Sequence, residues 1–410
     1  MSIEFEYWWL LILPLFFTLG WIAARVDIKQ LISESTALPA SYFKGVNFLI
    51  SDQHSKAVEA FSEAVQANTD SLELHFALGS LFRRTGETDR AINMHLSLLA
   101  KKELTENQKS AVKAELAQDY LKAGLYDRAE ELFKGLDDTR YQQPALHALL
   151  EIYVREREWL RAIETATELE RLSGVPFRQQ IAQYYCELAM NALIAQQQDT
   201  ARVQLNLALD ANKNCVRANV LLGDLEASNG AHQAAISAWK RIEFQQSEYL
   251  GLVASKMLKS YRADNKLKDG LSQLNGYLDT YKLPSLMSAL YEVTLAEEGA
   301  EKAAKLARNE LIRQPSLTTL DQLLQARAMA DETNQSGNKQ NNNQNNNQDI
   351  QLMQQTVRNA IGNRAAYHCD QCGFRAKQHH WQCPACNAWE ALPAEPSEAI
   401  SREMTLKKLK

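Results

Sequence analysis

The sequence predicts an all-α protein: a superhelical solenoid of short helical repeats with an N-terminal transmembrane helix and a small C-terminal metal knuckle. Three observations predict it. Glycine (16) and proline (9) are sparse over 410 residues, which favours long helices with short connections over a turn-rich β-fold. An alanine recurs at intervals of 33 to 39 residues through the middle of the chain. Four of the six cysteines crowd into the 18 residues from Cys369 to Cys386.

Composition narrows the function. At about 100–200 residues per domain the length allows two to four domains, and 45% hydrophobic with 23% charged residues is the balance of a chain that folds. Lys plus Arg (45) against Asp plus Glu (50) gives a net charge of -5, which argues against a dedicated nucleic-acid binder. Two isolated cysteines and one paired cluster do not make a disulfide scaffold. They point instead to a metal site in a reducing compartment, the cytoplasm.

Residues 1–25 are read as a membrane anchor. Between Glu6 and Arg25 the chain runs YWWLLILPLFFTLGWIAA without a charge, about the length that a hydrocarbon core of roughly 30 Å requires. A cleaved signal peptide would carry a basic start, where this chain has Glu4 and Glu6. Arg25 and Lys29 follow the span and no Lys or Arg precedes it, so the bulk of the chain is placed on the cytoplasmic side. Trp8, Trp9 and Trp21 stand near the two interfaces, where indoles concentrate.

Residues 38–330 are read as the solenoid. The recurring alanines are Ala57, Ala91, Ala129, Ala162, Ala201 and Ala235, at intervals of 34, 38, 33, 39 and 34. Twelve residues before them stand Gly45, Gly79, Ala117, Leu150, Ala189 and Gly223, and four after them Phe61, His95, Phe133, Ala166, Leu205 and Trp239. Small residues sit where helices cross and large ones fill the gap. Gly86, Gly124 and Gly230 fall at turns between the helices of a pair. These positions resemble the tetratricopeptide repeat (TPR), with seven to eight copies between about 38 and 315. Such a solenoid offers a concave surface of first-helix (A-helix) side chains to a peptide or partner domain. Cys186, Cys215 and the scattered histidines, His95 among them, are read as packing residues.

From Ser316 to Ala330 a serine N-cap and helically spaced leucines predict a helix that covers the last repeat. Residues 331–348 include the tract NQSGNKQNNNQNNNQ, which has nothing apolar to bury and is expected to be a disordered linker. A docking helix is predicted over Asp349 to Gly362, with Ile350, Met353, Val357 and Ile361 on one face. With the metal-binding segment it makes up residues 349–395, and a flexible tail over 396–410 follows.

The cysteines read Cys369-x2-Cys372 and, after the ten residues from Gly373 to Gln382, Cys383-x2-Cys386, with Asn387 following. Two C-x-x-C knuckles make a four-thiolate tetrahedral site for one iron or zinc ion. Gly373 and Asn387 are the residue types that tolerate positive φ, which turns backbone N–H groups toward sulfur. Phe374, Trp381 and Trp389 are expected to form a small core inside this module, and the module is expected to pack on the solenoid. His379 and His380 are surplus to a complete tetrahedron, and Arg364, Arg375 and Lys377 are candidates to offset its negative charge.

The order of anchor, TPR solenoid and CxxCGF...WxCPxC knuckle resembles the lipopolysaccharide assembly protein B family (LapB, also YciM) over nearly the whole chain. The Asn/Gln tract and the tail after Pro396 depart from the family pattern. The resemblance implies an inner-membrane adaptor that regulates lipopolysaccharide (lipid A) synthesis. It would act with an FtsH-type membrane protease to promote degradation of an LpxC-type deacetylase and would scaffold other lipopolysaccharide assembly proteins, with homodimerisation left open. The family's metal ligands carry over to Cys369, Cys372, Cys383 and Cys386. The chain has no GxxxxGK[ST], HExxH or GxSxG motif, so no enzyme is expected. Two rival readings are a redox or electron-transfer role for the four-Cys centre and a nucleic-acid-binding ribbon.

Overall fold

The computed structural model describes residues 14, 16–21, 39–67, 71–136, 138–334, 343–362 and 367–395. Most of the expected membrane span, and all of the tail, lie outside the described residues. Residues 14 and 16–21 are helical, and among the described residues no helix is long and apolar enough to cross a membrane.

The chain divides into two compact units, residues 1–152 and 153–410. The first contains the pairs α1 (Ala40–Ile50) and α2 (His54–Ala67), α3 (Leu72–Thr85) and α4 (Thr88–Leu99), α5 (Glu106–Ala123) and α6 (Tyr126–Lys134), and most of α7 (Thr139–Glu156). The second begins in the last turn of α7 and contains α8 (Trp159–Ser173), then the pairs α9 (Arg178–Ile194) and α10 (Gln198–Ala211), and α11 (Val216–Ser228) and α12 (His232–Lys240). A short α13 (Ile242–Gln246) and a 3₁₀ turn at Ser247–Tyr249 lead to α14 (Leu250–Ala263) with α15 (Leu267–Tyr281), and α16 (Pro284–Glu298) with α17 (Ala300–Arg313). The covering helix α18 (Leu317–Asn334), α19 (Asn343–Gly362) and two strands, β1 (Tyr367–His368) and β2 (Arg375–Ala376), complete it.

The repeat arithmetic holds in three dimensions. All six recurring alanines are completely buried. Side chains added to Gly45 and Gly223 would collide with Phe61 and Trp239, so each glycine makes room for the large residue of its own second helix. The turns within the first six pairs and the α14–α15 pair share a left-handed residue: Asp52 (φ 58°), Gly86 (82°), Gly124 (77°), Arg157 (59°), Gln196 (60°), Gly230 (75°) and Asn265 (57°). Only three of these are the glycines expected from the sequence. The geometry belongs to the repeat, and the other four residues adopt it at a cost.

His95 does more than fill a gap. It is buried in the first unit with Nδ1 2.5 Å from Asp119 Oδ2. Asp119 also accepts from Arg83 Nη1 at 2.6 Å, and Arg83 Nη2 donates to Glu115 at 2.6 Å. A carboxylate with no solvent exposure needs such partners, and this set joins α3, α4 and α5.

Helix α18 is capped as expected, Thr319 N–H donating to Ser316 Oγ at 3.0 Å. Helix α19 packs on it, with Arg358 Nε 3.0 Å from Asp321 Oδ1. It starts at Asn343, six residues inside the tract expected to be a disordered linker. The reason is cooperative: Ile350, Val357 and Ile361 are half-buried and hold the helix, and elongating an existing helix adds a hydrogen bond per residue without a nucleation cost. Met353, expected on the same face, is exposed.

Candidate metal centre

The C-terminal module is two similar hairpins facing each other. In the first, β1 pairs antiparallel with β2, Cys369 N–H donates to Phe374 O at 2.8 Å and Gly373 N–H to Cys369 O at 2.9 Å. In the second, Gln382 bridges Trp389, Cys383 N–H donates to Ala388 O at 2.9 Å and Asn387 N–H to Cys383 O at 2.9 Å. Gly373 (φ 74°) and Asn387 (φ 58°) occupy the left-handed region. That places the next N–H groups, of Phe374 and Ala388, on the sulfurs of Cys372 and Cys386. Sequence reasoning placed both turn residues correctly.

The Sγ atoms of Cys369, Cys372, Cys383 and Cys386 lie within 4.8 Å of one another. Cys369 Sγ is 3.7 Å from Cys386 Sγ, and Cys372 Sγ is 3.7 Å from Cys383 Sγ. A tetrahedron with metal–sulfur bonds of about 2.3 Å has an edge of about 3.8 Å, so the four sulfurs suit one ion. Burial raises the Cys369 thiol, but the N–H groups of Cys372 and Gln371 and the adjacent thiols outweigh it and bring it down to about 7. Cys369 and Cys383 are buried, while Cys372 and Cys386 are exposed. Arg375 and Lys377 are exposed, and Arg364 lies outside the described residues.

The expected aromatic core needs correction. The module's own core is Cys369, Ala376, Cys383, Ala391 and Leu392, with Tyr367, Phe374 and Ala388 against it. Trp381 and Trp389 face the other way, onto the solenoid. A module this small has no interior for two indoles, so their area is buried against helices instead.

Trp381 stacks on Tyr249 with ring centroids 5.3 Å apart and planes 12° apart. His379 meets both rings edge-on. Trp389 lies edge-on to Tyr184, and the Arg217 guanidinium sits 5.5 Å from its centroid. The Glu390 carboxylate accepts from Gln179 Nε2 at 2.6 Å and from Gln183 Nε2 at 2.7 Å. Ser285 donates to Glu395. The solenoid residues come from α9, α11, the 3₁₀ turn and α16, so the module is seated mainly on first helices, where the sequence predicted a binding surface. Arg217 is held for the task by Glu187 (2.7 Å) and Gln183 (3.3 Å). Burial pushes the Tyr184 and Tyr249 phenols up to about 12.

None of these seat residues stood out in the sequence, because single glutamines and tyrosines on a helix carry no pattern. Cys186 and Cys215, read as packing residues, are completely buried behind the seat with Sγ atoms 3.8 Å apart. His379 lies outside the four-sulfur cluster, and its Nε2 is buried without a hydrogen-bond partner among the described residues.

Fold and centre together define a tetratricopeptide-repeat solenoid carrying a rubredoxin-type metal module. Residues 367–393 match the family described as rubredoxin metal binding domain, and residues 74–109 and 186–246 match tetratricopeptide repeat families. Lipopolysaccharide assembly protein B of Escherichia coli K12 is 30% identical over 384 residues, which cover 93% of this chain and 96% of that protein. Its counterpart in Haemophilus influenzae Rd is 28% identical over 392 residues, with the same coverage of 93% and 96%. The chain belongs to the lipopolysaccharide assembly protein B family. Among solved structures, the C-terminal part of a TPR repeat-containing protein from Cytophaga hutchinsonii aligns with a TM-score of 0.35 and 13% identity, over 69% of this chain and 99% of that one.

Proposed function

We propose that the protein is an adaptor in lipopolysaccharide assembly, anchored in the inner membrane by residues 1–25 and working on the cytoplasmic side. The observation that carries this reading is the relationship to lipopolysaccharide assembly protein B, which extends over 93% of the chain and therefore takes in both solenoid and metal module. The finer reading is that the solenoid brings an FtsH-type protease to an LpxC-type deacetylase and so shortens the lifetime of the enzyme that commits carbon to lipid A. A shared membrane plane raises the effective concentration of anchored partners. The chain itself binds and orients, and performs no reaction.

Cys369, Cys372, Cys383 and Cys386 hold one zinc or iron ion in this reading. Their support is the sulfur spacing and the N–H groups directed at the sulfurs. The ion supplies a cross-link that keeps two hairpins closed.

Depleting the protein in its host and following the deacetylase by chase tests the reading. A longer half-life is expected on depletion, restored by the wild type and not by Cys369→Ser/Cys372→Ser. An unchanged half-life would overturn the regulatory reading.

A further inference from the structure

The second hairpin has its metal ligands at one end and its solenoid contacts at the other. Cys383 and Cys386 form the tip. At the base, Glu390 N–H donates to Trp381 O at 2.7 Å, next to the Gln382–Trp389 bridge, and this fixes the spacing of Trp381, Trp389 and Glu390. Those three residues reach Tyr249, then Tyr184 and Arg217, then Gln179 and Gln183. The hairpin is too short to hold these residues in register by its own hydrogen bonds, since two-stranded hairpins are marginal in water. An ion at the tip and the solenoid at the base hold the same object.

Glu390 also stands at a backbone position that favours glycine. Its φ is 52°, in the left-handed region that disfavours a side chain such as glutamate. Glycine would fit that backbone with less strain, yet only a long acceptor side chain can receive both glutamine amides. The strained backbone and the two-amide clamp fall on the same residue.

We propose that metal retention and docking are one linked equilibrium, with Glu390 as the positioning residue and Gln179, Gln183, Arg217 and Tyr249 as remote determinants of how tightly the ion is held. By linkage, whatever the seat adds to metal affinity, the metal adds to docking. The inference rests on the metal reading above.

The test loads the full chain with zinc and follows transfer to the chromophoric chelator 4-(2-pyridylazo)resorcinol. Glu390→Gly keeps the favoured backbone and removes the clamp, and it should release zinc about 10–100-fold faster, the usual effect of losing an outer support of a metal site. Glu390→Gln loses one acceptor and should fall between. Adding Gln183→Glu to it returns an acceptor to the pair, opposite the new amide and beside Arg217, and should restore slow release. Helical circular dichroism of each variant confirms that the solenoid is intact. Release from Glu390→Gly at the wild-type rate, or no recovery in the double variant, would overturn the linkage while leaving the metal reading in place. Failure of the wild type to take up either one zinc or one iron ion per chain would overturn both.

Discussion

At the residue scale, the repeat imposes a conformation on whatever side chain occupies its turn. Gly86, Gly124 and Gly230 were legible because glycine announces positive φ, whereas Asp52, Arg157, Gln196 and Asn265 carry the same conformation without that signal. Arg157→Gly and Gln196→Gly should each stabilise the protein by about 1 kcal/mol, the left-handed penalty less the added freedom of the unfolded chain. Urea unfolding checks this, and a lower midpoint would reject it. His379 offers a pH test. Burial among Tyr249, Tyr367 and Trp381, with His380 beside it, lowers its pKa from 6.5 to about 4. Between those values the unfolded state binds the extra proton and the folded state does not, so this contribution to stability falls as pH drops through the window and is flat above it. The melting temperature of the wild type should therefore decline more steeply from pH 7 to 5 than that of His379→Gln; parallel profiles would reject the assignment.

At the element scale, the helices were legible because each repeat presents the same small and large residues at fixed offsets, and burial follows. Helix α19 was legible in type but not in extent, since the six polar residues at its start owe their helicity to the segment after them. The convergence of the four cysteines and both left-handed turn residues could be read directly, because C-x-x-C with a glycine or asparagine behind it is a local pattern. The direction of Trp381 and Trp389 could not. An indole beside a knuckle suits either an internal core or an interface, and only the size of the module and the position of Tyr184 and Tyr249 separate them. Cys383→Ser/Cys386→Ser should release both indoles from the solenoid and expose the second hairpin to chymotrypsin, while α9 to α17 keep their resistance. Cleavage patterns identical to those of the wild type would count against a metal-held hairpin.

At the scale of the whole molecule, the buried hydrophobic core of the described residues begins at Ala57, well after the proposed anchor. Deleting residues 1–25 should leave the helical melting transition unchanged, move the protein from the membrane pellet to the supernatant, and weaken its effect on deacetylase half-life at native abundance. Pelleting with membranes after the deletion would place the anchor elsewhere. The seat of the metal module has a consequence at this scale too. It covers part of the first-helix surface that a TPR solenoid offers to partners, so a partner of the second unit meets a composite of helices and knuckle.

By itself the sequence determined whatever recurs or follows a local motif: the all-α class, the repeat period, the buried alanines and their large partners, and the two C-x-x-C knuckles with Gly373 and Asn387 behind them. These are local or periodic constraints, each written in residues near one another or at constant intervals. Only the tertiary structure decided that Gln179 and Gln183 would grip Glu390, more than 200 positions away, and that Trp381 would rest on Tyr249. Such contacts join single residues without period or motif, and they exist because folding brings first helices from successive repeats to one surface and presents a small metal module with more aromatic area than it can bury alone.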